Sequence, residues 1–300
     1  MPTNPDSRNV LVTGEIVWDV FEDRERLGGA PLNFAAHLKR LGHHPLMFSA
    51  VGDDTRGRSA LDEIRKLGLD TSFLWTSDQH PTGVVRVALG QGGEPEYHLE
   101  RPAAYDGRPL HATDRAALER WNPTFAYFGT LQNLYPAQRL VTLDLLRSLP
   151  QAVKFYDVNL RRDSYDAPLV RQLLSLADIV KLNAEEARFV QEICRQRCDG
   201  LEAFCRDYSR RFGWRVVCVT KDKNGCSILS NGAYAEAPGF HVQVADAVGA
   251  GDAFAAAVVH GLSNGWSATE IASFGNRVGA VVASKRGGAP EWSLDEVWRL

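Results

Sequence analysis

The chain has 300 residues, with 34 Lys and Arg against 37 Asp and Glu, for a formal net charge of −3. That near-balance, with no basic run longer than two residues, argues against nucleic acid as a main partner. No window approaches 18 consecutive apolar residues, so no membrane partner is expected. Residues 1–7 lack the apolar run of a secretory signal. Cys194, Cys198, Cys205, Cys218 and Cys226 match no paired zinc spacing and read as reduced thiols of a cytoplasmic protein.

In chain order, residues 10–20 read as a buried first strand broken at Gly14 and ending at Asp19, with an exposed charged segment at 22–26. Phe34, Ala35, Leu38 and Leu41 recur at helical spacing, and Gly42 suits the cap. His43 and His44 then precede a strand over 45–51 and read as solvated. A helix over 55–67 follows. Residues 84–89 and 96–101 alternate like strands about a turn at 91–95, which reads as a hairpin. From 125 onward strands and helices alternate: strands at 125–128, 153–157, 179–182, 215–220 and 226–229, with helices between and after them. Two helices, 252–263 and 268–284, come near the end. This alternation predicts an α/β fold with a mainly parallel central sheet covered on both faces by helices. Ligands of such sheets lie beyond the carboxyl ends of the strands.

The chemistry concentrates in Asp246-Ala247-Val248-Gly249-Ala250-Gly251-Asp252, which runs into an apolar helix. A buried helix that starts at Gly-Ala-Gly offers unpaired amides and the positive end of its dipole to an anion. An acid beside an anion site is awkward, unless Asp252 takes a proton from a hydroxyl while the amides hold a phosphoryl group. The plainer alternative is that Asp252 only complements the dipole. There is no Gly-Lys-Ser/Thr loop, no complete dinucleotide fingerprint and no protein-kinase signature. Asp157, Asn159 and Arg161 share one face if their strand continues. Asn183 and Glu186 align on a first helical turn, either as a capping box or with Glu186 near a hydrated Mg²⁺; the two readings are compatible.

Residues 246–252, together with Gly28-Gly29-Ala30-Pro31-Leu32-Asn33-Phe34-Ala35, Asp157-x-Asn159-x-Arg161 and Asn183-x-x-Glu186, resemble the ribokinase-like (PfkB) carbohydrate kinases. The match runs over roughly 10–290, and within the family the chain looks most like bacterial fructokinases. The resemblance implies a three-layer α/β/α sandwich forming one kinase domain over 1–300, with a small β lid built from about 15–30 and 83–106. It implies transfer of the ATP γ-phosphate to a sugar hydroxyl, with fructose giving fructose 6-phosphate. 2-Keto-3-deoxygluconate, ribose or a nucleoside are alternative acceptors, and a non-catalytic sugar-binding regulator is the alternative of a different class.

By the same resemblance Asp252 is the base, the amides of Gly249, Ala250 and Gly251 form the anion hole, and Arg161 and Asn183 address the phosphate. Asp19, Gly29, Asn33, Arg101 and Asn159 fall on the sugar side, Arg101 reaching in from the lid. Thr220, Gly225 and Asn276 fall on the nucleotide side. Glu186 would organise Mg²⁺ through water, and Asp246 matches a monovalent-cation (K⁺) site. The lid edges would suit a homodimer. Two departures stand out: Ala247 replaces a usual Thr, and Asp222 replaces a usual Gly.

Overall fold

The computed structural model describes residues 8–89 and 95–300. The segment 1–7 and nearly all of the expected turn at 91–95 lie outside that range. The elements run β1 (Asn9–Thr13), β2 (Val17–Val20), β3 (Glu25–Gly28), α1 (Ala30–Arg40), β4 (His44–Gly52), α2 (Thr55–Lys66), β5 (Leu74–Ser77), β6 (Gly83–Leu89) and β7 (Pro95–Glu100). After them come α3 (Ala112–Trp121), β8 (Phe125–Gly129), α4 (Pro136–Ser148), β9 (Val153–Asp157), α5 (Ala167–Leu174), β10 (Ile179–Asn183), α6 (Ala184–Ile193), α7 (Leu201–Phe212) and β11 (Val216–Thr220). The chain closes with β12 (Cys226–Ser230), β13 (Ala233–Ala237), α8 (Ala250–Ser263), α9 (Ala268–Ala283) and α10 (Leu294–Trp298).

The large sheet has the order β13-β12-β11-β10-β9-β8-β1-β4-β5. Every pair from β11 to β5 is parallel; β12 and β13 add an antiparallel edge. A strand covered on both faces is apolar throughout, and all five residues of β8 are buried. The two faces separate along β1. Val10 and Val12 join a core with Phe34 and Leu38 of α1 and the apolar residues of α8 and α9. Leu11 joins the opposite core, with residues of α3 to α7. The result is a helix–sheet–helix sandwich, as expected. Because the strands are parallel, the ends of β1, β9, β10 and β11 (Thr13, Asp157, Asn183 and Thr220) open on one edge.

A second, four-stranded sheet has the order β3-β2-β6-β7. Here the sequence reading needs correcting. Residues 10–20 are not one broken strand: β1 belongs to the large sheet and β2 to the small one. The chain changes sheet at Gly14, whose φ is 151° and where a Cβ would stand 2.0 Å from Pro31 Cγ, leaving no room for a side chain. Asp19 therefore lies within a strand of the small sheet, and the charged segment 22–26 runs into β3, where Arg26 faces Asp19 in register. The expected common face of Asp157, Asn159 and Arg161 does not form either. β9 stops at Asp157, and Asn159 turns the chain at a φ of 37°.

β5, α3 and β13 went unread because four-residue Leu-Trp-Thr-Ser, a helix with only Leu118 buried, and Ala-rich β13 carry little periodic signal. His43 is also corrected. It is 2% exposed, with Nε2 within 3.2 Å of His260 Nδ1, and burial pushes its pKa down to about 3. His44 is exposed. The cysteines are unpaired, four of them buried and Cys198 partly so.

Phe34 is 0% exposed and stacks on Tyr127 at 4.1 Å between ring centroids, with Phe155 at 5.9 Å. These rings join α1 to the sheet directly behind the strand ends. Phe34→Ala should therefore cost about 3–5 kcal/mol, the usual range for a buried aromatic. Urea unfolding checks this, and a loss well under 1 kcal/mol would mean that the site does not depend on this contact.

Candidate active site

The N-terminus of α8 is shaped by backbone constraints. Gly249 caps it at a φ of 81°, and a Cβ there would stand 2.0 Å from the carbonyl oxygen of Gly288. The amide of Ala253 donates to Gly249 O at 2.8 Å, starting the helix. The first amides of a helix have no intrahelical acceptor and carry the positive end of the dipole. Ala253 to Val259 are almost wholly buried, so this end is held rigidly in the core.

Asp252 lies in that first turn, 8% exposed, and its Oδ2 accepts a hydrogen bond from Asn33 Nδ2 at 2.9 Å. Burial pushes its pKa up to about 6. Lys181 works most strongly against that rise, followed by the Asn33 hydrogen bond and Arg161, while Asp157 adds to it. Asn33 thus holds the Asp252 carboxylate, and it is itself wedged. A Cβ on Gly288 would overlap its amide at 2.5 Å. Trp292 Nε1–H donates to His37 Nδ1 at 3.1 Å, which leaves the proton on Nε2 to donate to Gly288 O at 3.0 Å. This relay fixes Gly288 between Asn33 and Gly249.

Lys181, on β10, was missed in the sequence. Its ammonium is 3.0 and 3.1 Å from the two oxygens of Asp157, which also accepts from Tyr127 Oη at 3.2 Å. Both side chains are buried, Asp157 completely. A Cβ on Gly251 would lie 3.1 Å from Lys181 Nζ, so the cation sits directly beneath the first turn of α8. Desolvation opposes the charge, but Asp157, Asp252 and Glu186 outweigh it and hold the lysine pKa above its ordinary value. A lone Lys inside an apolar strand pattern, Ile-Val-Lys-Leu-Asn, was the signal available in the sequence.

On the other side of Asp252 stand Glu15 and Asp19. Burial pushes the Glu15 carboxyl up to about 7, with Arg161 and Arg101 pulling it down and Asp252 reinforcing the rise. Asp19 is pushed up to about 6 for the same reason, offset by Arg161 and Arg26. Arg161 therefore lies among Glu15, Asp19 and Asp252, and its guanidinium makes no hydrogen bond to another described residue. Gly29, at a φ of 112°, lets the start of α1 approach Glu15 O, where a Cβ would stand at 2.5 Å. Asn159 shapes the bend that carries Arg161.

Arg101 departs from expectation. Its Nε and Nη2 both bind Asp106 and its Nη1 donates to Leu131 O, with the guanidinium 4.6 Å over Tyr135. Asp106 is 1% exposed on its side chain and needs that cation. Arg101 anchors the foot of the small sheet.

Asn183 Oδ1 accepts the amides of Glu185 and Glu186 at 2.9 Å, and Glu186 returns the bond to Asn183 N at 2.8 Å. The capping box is real. The other Glu186 oxygen accepts from Leu160 N at 2.7 Å, tying α6 to the loop that carries Arg161. Each oxygen keeps a second lone pair, and the donors are oxygens suited to a hydrated hard cation.

Of the residues expected to face the nucleotide, Thr220 ends β11 beside Asn183. Asp222 adopts a φ of 49° in the turn that follows, so the expected glycine is replaced without losing the left-handed backbone. Gly225 is obligatory, since a Cβ would stand 2.0 Å from Ala237 O. Asn276 does not project freely: Nδ2 donates to Ala237 O and Pro238 O at 3.1 and 3.0 Å. Asp246, expected to face a cation, has Oδ2 bound by Arg26 Nη1 and Gly287 N, both at 3.0 Å, and Oδ1 bound by Val248 N at 3.1 Å.

The model of the pfkB family carbohydrate kinases matches residues 3–294. The chain belongs to that family. A fructokinase of Escherichia coli is 29% identical over 94% of this chain and 95% of its own length. An ATP-bound fructokinase structure from Xylella fastidiosa superposes with a TM-score of 0.85 at 22% identity, covering 98% of both chains. A 2-dehydro-3-deoxygluconokinase from Thermotoga maritima superposes equally well, TM-score 0.85, at 17% identity over 97% of this chain and 98% of that one. The pfkB fold thus accommodates different sugar acceptors, and the choice among them lies in the side chains.

The groups facing Asp252 are Lys181, Asp157, Arg161, Glu15, Tyr127 and Asn33. Lys181→Met removes the strongest attraction and leaves Asp157 negative, so it should raise the Asp252 pKa above about 6. Asp157→Asn should lower it. ¹³C titration of the aspartate carboxyls distinguishes the two; shifts of the same sign, or none, would remove Lys181 from the control of Asp252.

Proposed function

We propose that the protein is an ATP-dependent sugar kinase that phosphorylates fructose to fructose 6-phosphate, working as a single domain with the small sheet as its lid. The observation that carries this reading is a buried carboxylate in the first turn of α8, aimed by Asn33 and balanced by Lys181. A base of pKa about 6 is ionised at neutral pH yet accepts a proton readily.

Asp252 takes the proton of the attacking hydroxyl, and that oxygen bonds to the γ-phosphorus as the bond to the ADP oxygen breaks. The moving phosphoryl charge needs positioned donors more than covalent help. The amides at the start of α8 supply them from one side. Arg161, unpaired among the described residues, offers its planar fork from the other. Asp19 and Glu15 accept hydrogen bonds from the remaining sugar hydroxyls. Glu186 would hold Mg²⁺ through water, on the oxygen lone pairs that its amide bonds leave free. Mg²⁺ supplies neutralising charge to the nucleotide phosphates.

The charge pattern favours a neutral acceptor over a sugar acid. Glu15, Asp19 and Asp252 gather around Arg161, while Arg26 is engaged by Asp246 and Arg101 by Asp106. Of these described arginines Arg161 is left unengaged, and the phosphoryl group requires it. ADP release measured against a sugar panel should be at least about tenfold faster, in kcat/KM, for fructose than for 2-keto-3-deoxygluconate, the scale of one unpaired charge. A preference for the acid would overturn the fructose assignment while leaving the kinase reading in place.

Asp252→Asn should lower kcat by roughly a hundredfold or more, the scale of a lost general base. Its folded-state pKa lies above the ordinary 3.8, so the native state favours the protonated form. Stability from this group is present below about 3.8 and lost as pH rises through about 6. The variant should therefore melt at or above the wild-type temperature at pH 8, with the advantage vanishing near pH 4. Near wild-type turnover would sink the base assignment.

A further inference from the structure

Arg26 occupies an unusual place. It lies on β3 of the small sheet, yet its Nη1 reaches Asp246 at 3.0 Å, 220 positions along the chain. Asp246 stands at the entrance of the loop that leads into α8. The carboxylate has little left for an added cation. Oδ2 takes Arg26 and the Gly287 amide, and Oδ1 takes the Val248 amide. Three of the neighbouring carbonyls are also engaged, that of Ala247 by the amide of Ala250. Gly288 O receives His37 Nε2, and the carbonyl of Ala283 receives the amides of Ala245 and Asp246.

The guanidinium also has a fitted seat. At Gly287, with a φ of 93°, a Cβ would lie 3.5 Å from Arg26 Cδ and Nη1. That is ordinary van der Waals contact, so the arginine packs along the loop, and it is the positive φ that calls for glycine at this position. Across the β2–β3 ladder, Arg26 pairs in register with Asp19, whose carboxyl feels both Arg26 and Asp246. One positive group therefore links the sugar-side acid, the small sheet and the entrance to the anion-binding helix. A free cation placed at Asp246 would face this guanidinium and be repelled by it.

We propose that Arg26 supplies from within the chain the positive charge that a monovalent cation would bring to Asp246, so that phosphoryl transfer here proceeds without K⁺. The inference rests on the kinase reading above. Arg26 acts as a positioning residue: it neutralises Asp246, holds the 286–288 loop against Gly249 and Asn33, and fastens the small sheet over the pocket. The expected K⁺ site is thereby replaced, and the sequence carries the means in Arg26 and Gly287.

The test measures sugar-dependent ADP release at fixed ionic strength, with K⁺, Na⁺ or N-methyl-D-glucamine as the sole monovalent cation. Wild-type protein should turn over at the same rate in all three, within about twofold. Arg26→Met should lose about tenfold or more in N-methyl-D-glucamine, the scale of a lost charge-assisted contact, and recover part of that loss in K⁺. Arg26→Lys, which keeps the charge, should remain indifferent to K⁺. Activation of the wild type several-fold by K⁺ overturns the proposal, and so does an Arg26→Met protein impaired equally in every cation. If no acceptor supports ADP release in any variant, the kinase reading fails, and the cation inference is then decided by melting. K⁺ should leave the wild-type melting temperature unchanged and raise that of Arg26→Met; a K⁺-dependent rise in the wild type overturns it.

Discussion

The buried contact between Lys181 and Asp157 is the constraint on which the rest of the site depends. A carboxylate placed at 8% exposure beside another buried acid would ordinarily hold its proton at neutral pH. Lys181 is the strongest influence against this at Asp252, with the Asn33 hydrogen bond and Arg161 beside it. Asp157 in turn fixes the ammonium, and Tyr127 fixes Asp157. Strands β8, β9 and β10 each contribute one member, so the spacing of the parallel ladder sets the geometry of the charges. The pair is costly to bury and weak as a source of stability. Its value lies in the protonation state it imposes one layer above.

A second constraint is close backbone approach. Gly249, Gly251, Gly288 and Gly29 each stand where a side chain would overlap a neighbour or crowd it closely. The neighbours are parts of the site: Gly288 O, Lys181 Nζ, the Asn33 amide and Glu15 O. The Trp292–His37–Gly288 relay extends this packing to the segment that leads into α10. The neutral histidine suits that role, since burial pushes its pKa down to about 4. The start of α8 and the start of α1 are thereby locked together, and Asp252 and Asn33 with them.

The small sheet makes the remaining link. It carries Asp19 to the pocket and Arg26 to Asp246, while Arg101 anchors its foot to buried Asp106. Two of the basic residues nearest the pocket are thus consumed in holding the frame. What remains is a group of acids, Glu15, Asp19 and Asp252, with the unengaged Arg161 among them and the start of α8 beside them.

Much of this was legible in the residues. Periodicity gave the alternating strands and helices, and Gly-Ala-Gly-Asp marked the glycine-opened start of α8 with an acid in its first turn. Asn183 and Glu186 announced their capping box by spacing alone. These are local properties, carried by residues within one turn of each other. What the chain order could not convey were contacts between distant segments. Lys181, a polar residue in an otherwise apolar strand, takes its place only because the sheet sets Asp157 beside it and α8 above it. Arg26 looked like part of an exposed charged loop until β3 paired with β2 and reached Asp246. Arg101 and Asn276 kept their positions but turned to backbone and buried acid. The sequence by itself determined which chemistry is present, because backbone conformation and capping are decided within a few residues. Only the tertiary structure decided which charges neutralise one another, because Coulomb energies depend on distance and burial, and neither is a property of chain position.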